Sequence, residues 1–251
     1  MAPDVAAIVA RGELVVAMTS FDTPPFYSGV GDEMVGVDVA LAYEIGEALG
    51  VPVTFNREAE SFDAAVAKVV SGEADLAVSK ISRTRPRARV VAFSDPYVKL
   101  RHALVFNRLS LAQMSEGRDI ASIVRSFDGS IGVLANSAYE PFAKEHFRKA
   151  RIVPFETWDE AVDAVIAGTI DAAYRDEFEA RRLLIDRPHA SINLRSVTID
   201  DAVSAISVVV PWDRPRLLGI VNQVIDERPA ELTADELIEL YRLPEGPSES
   251  D

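Results

Sequence analysis

Two rhythms of apolar positions alternate along this chain. Unbroken apolar runs, such as LVVAM at 14–18, IGVL at 131–134 and VVV at 208–210, carry the pattern of strands buried on both faces. Between them, apolar residues recur at i, i+3 and i+4, which is one face of a helix. The pattern predicts strands over 13–18, 52–56, 74–79, 102–107, 130–134, 151–155, 170–174 and 205–210. Helices are expected over 38–49, 62–71, 138–149, 158–167, 177–185, 214–226 and 233–242, with a turn at Gly29–Asp32 and a polar connection over 109–128. Helices alternating with short apolar strands imply parallel sheets covered on both faces, and two such α/β halves fit in 251 residues.

The halves repeat one another. Residues 62–79 (FDAAVAKVVSGEADLAVS) match 158–175 (WDEAVDAVIAGTIDAAYR) at a constant offset of 96. Phe62 faces Trp158, Asp63 faces Asp159, Gly72 faces Gly168 and Asp75 faces Asp171. Each copy reads as a short helix, a glycine that ends it in the left-handed conformation, and a strand. A fainter pair, 12–20 and 129–137, matches at an offset of 117.

Composition narrows the chemistry. Zero cysteine excludes disulfides, thiolate catalysis and cysteine-based metal sites. A net charge of −14 opposes nucleic-acid binding. No apolar run reaches the ~18 residues of a membrane span. Met1-Ala-Pro-Asp4 lacks a basic region followed by an apolar stretch, so no signal peptide is expected here. His102, His146 and His189 have no metal-site spacing and read as surface or structural residues, and no phosphate-cradling loop or nucleophile elbow occurs. No cofactor and no metal are expected.

In open α/β sheets, ligands bind beyond the carboxyl ends of the strands. Ser79–Arg87 follows one repeated strand and Tyr174-Arg175-Asp176 ends the other, with Lys80 and Asp176 at equivalent positions. Hydroxyls and cations on one wall and a carboxylate on the other suit a small zwitterion.

Gly36-Val-Asp-Val-Ala-Leu-Ala42, Ser71-Gly-Glu-Ala-Asp75, Ile81-Ser-Arg-Thr-Arg-Pro-Arg87, Phe93-Ser-Asp-Pro-Tyr97, 129–142 and Asp171–Asp176 follow in order over roughly 10–230. This series resembles the family 3 solute-binding proteins, the polar amino-acid-binding proteins of bacterial ABC importers. The resemblance implies the type II periplasmic-binding-protein fold: two Rossmann-like α/β lobes joined by two crossover strands. Lobe 1 is then 1–100 with 204–251, lobe 2 is 101–203, and the ligand cleft lies between them. It further implies that Arg87 holds a ligand α-carboxylate in a bidentate fork, with Ser82 sharing it. Asp176 pairs with the α-ammonium, Ser137 and Ala138 bring helix N-terminal amides to the carboxylate, and Phe62 and Phe21 pack on the ligand.

Four departures stand out. Lys80 replaces a small or neutral residue, and an extra cation there favours glutamate or aspartate. Asn136-Ser-Ala138 replaces Gly-Thr-Thr, Thr23 stands near the place of a stacking aromatic, and Arg85 replaces an acid in a first turn that Thr84 caps. Arg83, Arg85 and Arg89 read as a solvated basic stripe, and Asp176 as a possible helix cap as well as a ligand.

The leading expectation is a monomeric, non-catalytic, extracytoplasmic receptor that closes on an amino acid and delivers it to a membrane permease. Alternatives are a sensor domain of a larger membrane protein and a cyclohexadienyl-dehydratase-like enzyme using Asp176 or Glu177 as acid.

Overall fold

A helix that the apolar pattern did not announce begins the chain in the computed structural model, which describes residues 2–115, 117–228 and 232–242. This helix, α1 (Pro3–Arg11), starts at a proline whose missing N–H has no partner to lose in a first turn, and ends at Gly12 in the left-handed region. Next come β1 (Leu14–Thr19), α2 (Val37–Leu49), β2 (Val53–Ala59), α3 (Phe62–Ser71), β3 (Leu76–Ala77) and β4 (Val91–Asn107). Then follow α4 (Arg108–Ser115), α5 (Ile120–Arg125), β5 (Ser130–Leu134), α6 (Tyr139–His146), β6 (Arg151–Phe155), α7 (Trp158–Ile166), β7 (Ala172–Asp176) and α8 (Glu177–Asp186). The series ends with β8 (Leu194–Pro211), α9 (Pro215–Glu227) and α10 (Ala234–Arg242).

Two compact units divide the chain: Met1–Lys99 with Ala205–Asp251, and Leu100–Ser204. The chain passes from the first to the second within β4 and returns within β8. In the first unit the strand order is β2-β1-β3-β8, and in the second it is β4-β7-β5-β6. The sheets are mixed, not purely parallel. β1 runs parallel to β2 and β3, and β5 parallel to β6 and β7, but β3–β8 and β4–β7 are antiparallel.

Burial on both faces explains the unbroken apolar runs. In β4, Leu104 and Phe106 pack with Tyr174, Ile131 and the α4–α6 side, while Ala103 and Val105 pack on the other face with Val162, Val165 and Leu183. The polar connection expected over 109–128 contains α4 and α5. Both are short, and α5 is started by Asp119, whose carboxylate accepts the Ser122 amide at 2.9 Å. β3 is shorter than its apolar run, because the chain turns at Lys80, whose φ is +48°. β4 is longer than expected and reaches back to Val91, with Val91, Ser94, Tyr97 and Val98 buried among half-buried and exposed positions along Val91–Lys99.

The internal repeat survives as shared geometry. Ser61 and Thr157, 96 positions apart, cap α3 and α7 by accepting the amides of Ala64 (3.1 Å) and Glu160 (3.2 Å). Gly72 and Gly168 follow with φ of +80° and +71°. Asp75 accepts the Val15 amide at 2.9 Å, and Asp171 accepts the Ser130 amide at 2.8 Å. Val15 and Ser130 return the bond, accepting from the amides of Asp75 (2.9 Å) and Asp171 (3.2 Å). That pairs positions 115 apart, so the structural register differs by two from the offset of 117 read in the sequence.

Asp75 also joins Arg11 and, at 3.2 Å, Arg214, so it ties α1 and the start of α9 to the sheet. Asp75→Ala leaves the half-buried Val15 amide without its acceptor and removes both ion pairs, and is expected to lower the unfolding free energy by about 2–4 kcal/mol. Urea denaturation measures this; a loss below about 1 kcal/mol would show that the sheet entry holds without its carboxylate.

Candidate functional site

In the first unit the segment after β3 is held from beneath. The Lys80 amide donates to Asp38 Oδ2 at 2.6 Å, and the Tyr97 hydroxyl donates to Asp38 Oδ1 at 2.8 Å. This short acceptor compensates a left-handed conformation that costs a residue with a Cβ roughly 1–2 kcal/mol. Burial pushes the Asp38 carboxyl up to about 7, against the pull of Tyr97, the Lys80 amide and the Lys80 and Arg228 charges. The Lys80 side chain is buried, with its ammonium 4.9 Å from the centre of the Phe26 ring.

Further along, Ser82 is buried and bridges to Ile206, and Thr84 Oγ1 accepts the Arg87 amide at 3.3 Å at the start of a single 3₁₀ turn, Arg87–Arg89. Arg87 alone of the four arginines in this run is buried, whereas Arg85 and Arg89 are exposed. Arg83 lies between, and is not a solvated stripe residue. Its Nε donates to Ser207 at 2.9 Å and its Nη2 to the Ser94 carbonyl.

The Arg87 guanidinium is gripped on two sides. Nε donates to Asp63 Oδ1 at 2.8 Å and Nη1 to the Ser82 carbonyl at 3.0 Å. Nη2 lies 2.7 Å from the same Asp63 oxygen but outside hydrogen-bonding geometry, so it is buried with a donor unspent. Burial lowers the Arg87 pKa, opposed by the Asp63 charge. Asp63 follows Phe62 in the first turn of α3, and the Phe62 ring stands edge-on to Phe21 at 5.6 Å. Arg87, Ser82, Phe62 and Phe21 thus share one neighbourhood built on the start of α3 and the loop after β3. Thr23 is buried elsewhere in a hydroxyl cluster, donating to Tyr27 at 3.2 Å beside Thr19 and Ser79.

In the second unit Asp176 ends β7 and caps α8. Its Oδ1 accepts the Glu179 amide at 2.9 Å, and its Oδ2 accepts the Tyr139 hydroxyl at 3.1 Å. Ser137 Oγ donates to the Leu134 carbonyl at 2.6 Å and accepts the Tyr139 amide at 3.2 Å, and buried Ala138 is the N-cap of α6. One tyrosine therefore links Ser137 and Ala138 to Asp176. Asn136 takes a φ of +53°, a conformation asparagine tolerates better than most residues.

Several neighbours of Asp176 carry no sequence signal of their own. His102, its partner across the β4–β7 ladder, is 1% exposed. His102 Nδ1 meets the Tyr174 hydroxyl, and its Nε2 is buried without a partner. His146, 44 positions away, reaches the same hydroxyl at 3.4 Å. Arg175 Nη2 lies 3.7 Å from Glu179 and its guanidinium lies 5.5 Å over the Trp158 ring, leaving Arg175 Nε and Trp158 Nε1 both buried without acceptors. Glu177 is committed to Arg101, whose Nη2 lies 2.7 Å from its Oε2. The repeat did mark two of these positions, since Trp158 answers Phe62 and Arg175 answers Ser79.

With this geometry in view, the comparisons identify the class. The chain belongs to the bacterial extracellular solute-binding proteins of family 3, whose model matches residues 14–243. It is 29% identical over 159 residues to the histidine-binding periplasmic protein of Escherichia coli K12, which covers 62% of this chain and 57% of that protein. Among solved structures, it is similar to an amino-acid ABC transporter substrate-binding protein of Streptococcus pneumoniae bound to L-arginine. That likeness has a TM-score of 0.69 and 26% identity, covering 94% of this chain and 95% of that one. An ancestral amino-acid-binding protein, a precursor of cyclohexadienyl dehydratase, shares the fold at a TM-score of 0.71 and 24% identity, covering 96% and 99%. The two-lobe α/β architecture of the type II periplasmic binding proteins follows.

Burial depresses the His102 pKa from 6.5 to about 4, helped by His146 and opposed by Asp176. Between these values the unfolded chain binds the extra proton, so stability falls by up to about 3 kcal/mol as pH drops through that window. Asp38 works in the opposite sense: its stabilisation is full below 3.8 and is lost as pH rises through about 7. Subtracting the stability–pH curve of His102→Gln from that of the wild type isolates the histidine. A flat difference between pH 4 and 6.5 would refute the neutral buried imidazole.

Proposed function

We propose that this protein is the extracytoplasmic receptor of an amino-acid ABC importer, capturing a polar amino acid by closure of its two units and presenting it to a membrane permease. The observation that carries the reading is Arg87: a buried guanidinium held by Asp63 and Ser82 with one donor nitrogen unspent. A carboxylate ligand supplies the acceptor that this nitrogen lacks. On this reading Ser82 shares the carboxylate, Asp176 takes the ammonium, Ser137 and Ala138 present the start of α6, and Phe62 and Phe21 pack on the ligand. Among the described residues no helix is long and apolar enough to cross a membrane.

For the side chain we propose a ligand rich in acceptor oxygens, glutamate or aspartate first. Lys80 adds positive charge in the first unit, although its ammonium sits over Phe26 and within the field of Asp38. Receptor is favoured over enzyme because both oxygens of Asp176 already accept hydrogen bonds and Glu177 is clamped by Arg101, which leaves neither poised to move a proton.

Calorimetric titration of refolded protein with glutamate, aspartate, glutamine, alanine, arginine and histidine tests the reading. Tightest binding by an acidic ligand is expected; tightest binding by arginine or histidine would retain the receptor and discard the acidic preference. Arg87→Ala should weaken every amino acid that binds by about 2–5 kcal/mol, because it leaves a desolvated carboxylate without its partner. Unchanged affinity in that variant would sink the site.

A further inference from the structure

A cavity of about 780 Å³ lies wholly within the first unit, between the loop at Pro24–Ser28, the start of α2 and the far end of α10. Its size falls within the range of small-molecule sites. Its walls are apolar: Pro25, Val35, Val37, Leu232 and Leu240 contribute, and Val35 and Leu240 remain 54% and 40% exposed. Gly36 shapes the floor, since a Cβ there would strike the Phe26 carbonyl, so the loop and helix approach more closely than another residue would allow.

The chemistry of the cavity comes from Arg228. Its Nε lies 3.4 Å from Glu44 Oε2, a loose ion pair with a half-exposed carboxylate. Its Nη1 is buried and has no hydrogen-bond partner. A buried guanidinium N–H left without an acceptor carries a desolvation penalty that any fitting acceptor would remove. Among the described residues, Glu44 pairs with Arg228 and the buried Asp38 feels its charge, and neither carboxylate hydrogen-bonds Nη1. Ser28 adds a hydroxyl on the same wall.

We propose that this cavity is a second binding site, separate from the one built around Arg87, for a small monocarboxylate with an apolar body. The carboxylate caps Arg228 Nη1, and the alkyl or aryl body lies against Val35, Val37 and Leu240.

Phenylacetate is a suitable probe, with phenylacetamide as its uncharged counterpart. In amide-resolved NMR titrations of the ¹⁵N-labelled full chain, phenylacetate should give saturable shifts at Gly36, Val37, Ala40, Leu240 and Tyr241. Phenylacetamide should bind roughly tenfold more weakly, the loss of one charge-assisted bond. Arg228→Met should abolish the preference for the acid. Ala40→Phe, placed on an exposed helix position at the cavity wall, should block both probes without removing the guanidinium, so a folding defect in the arginine variant cannot imitate the result. Arg87→Ala should leave the shifts intact. Absence of saturable shifts, equal affinity for acid and amide, or loss of binding in Arg87→Ala would each overturn the proposal.

Discussion

Each sheet begins with the same trade between a carboxylate and a strand. Asp75 and Asp171 accept an amide from the neighbouring strand, while their own amides donate back to it. A strand buried on both faces has no water for its terminal amides, and an uncompensated amide there is expensive. The carboxylate resolves this at the amino-terminal end of the parallel strands. With that end closed, the carboxyl-terminal end is where chain can leave the sheet as polar loops. The segment Ser79–Arg87 and the cap at Asp176 are both consequences of this polarity, one in each unit.

Arg87 shows how a loop built this way can hold a charge below the surface. The guanidinium does not sit there by virtue of packing alone. Asp63, half-exposed at the first turn of α3, supplies the counter-charge, and the Ser82 carbonyl fixes the plane. The pair is therefore asymmetric: one partner is dry and the other wet. That keeps the desolvation cost below that of a fully buried pair while orienting the arginine. In the second unit the logic is reversed, with the carboxylate of Asp176 dry and its stabilisation drawn from a helix amide and a buried tyrosine.

Apolar periodicity carried most of the fold. The α3 helix and the β5 and β6 strands begin and end where the pattern places them, and α3 is bounded by the Ser61 cap and Gly72. The three helices that escaped, α1, α4 and α5, are short and have few buried residues each, so their stability comes from contacts the sequence does not display. Mixed strand direction escaped for a related reason: an apolar run is the same read either way. At the candidate site, the burial of Arg87 against exposed Arg85 and Arg89 depends on where one 3₁₀ turn starts. Asp63 was visible as a repeated residue, but its partner was not. His102 and His146 meet only through Tyr174, a juxtaposition that sequence spacing cannot show.

The two buried titrating groups, His102 in one unit and Asp38 in the other, divide the response of the molecule to acid. Mild acidification weakens the unit that contains the histidine and strengthens the unit that contains the carboxyl. The two contributions oppose one another over this window. A single midpoint reads only their sum, so the opposed responses show only where each half is followed by its own probe.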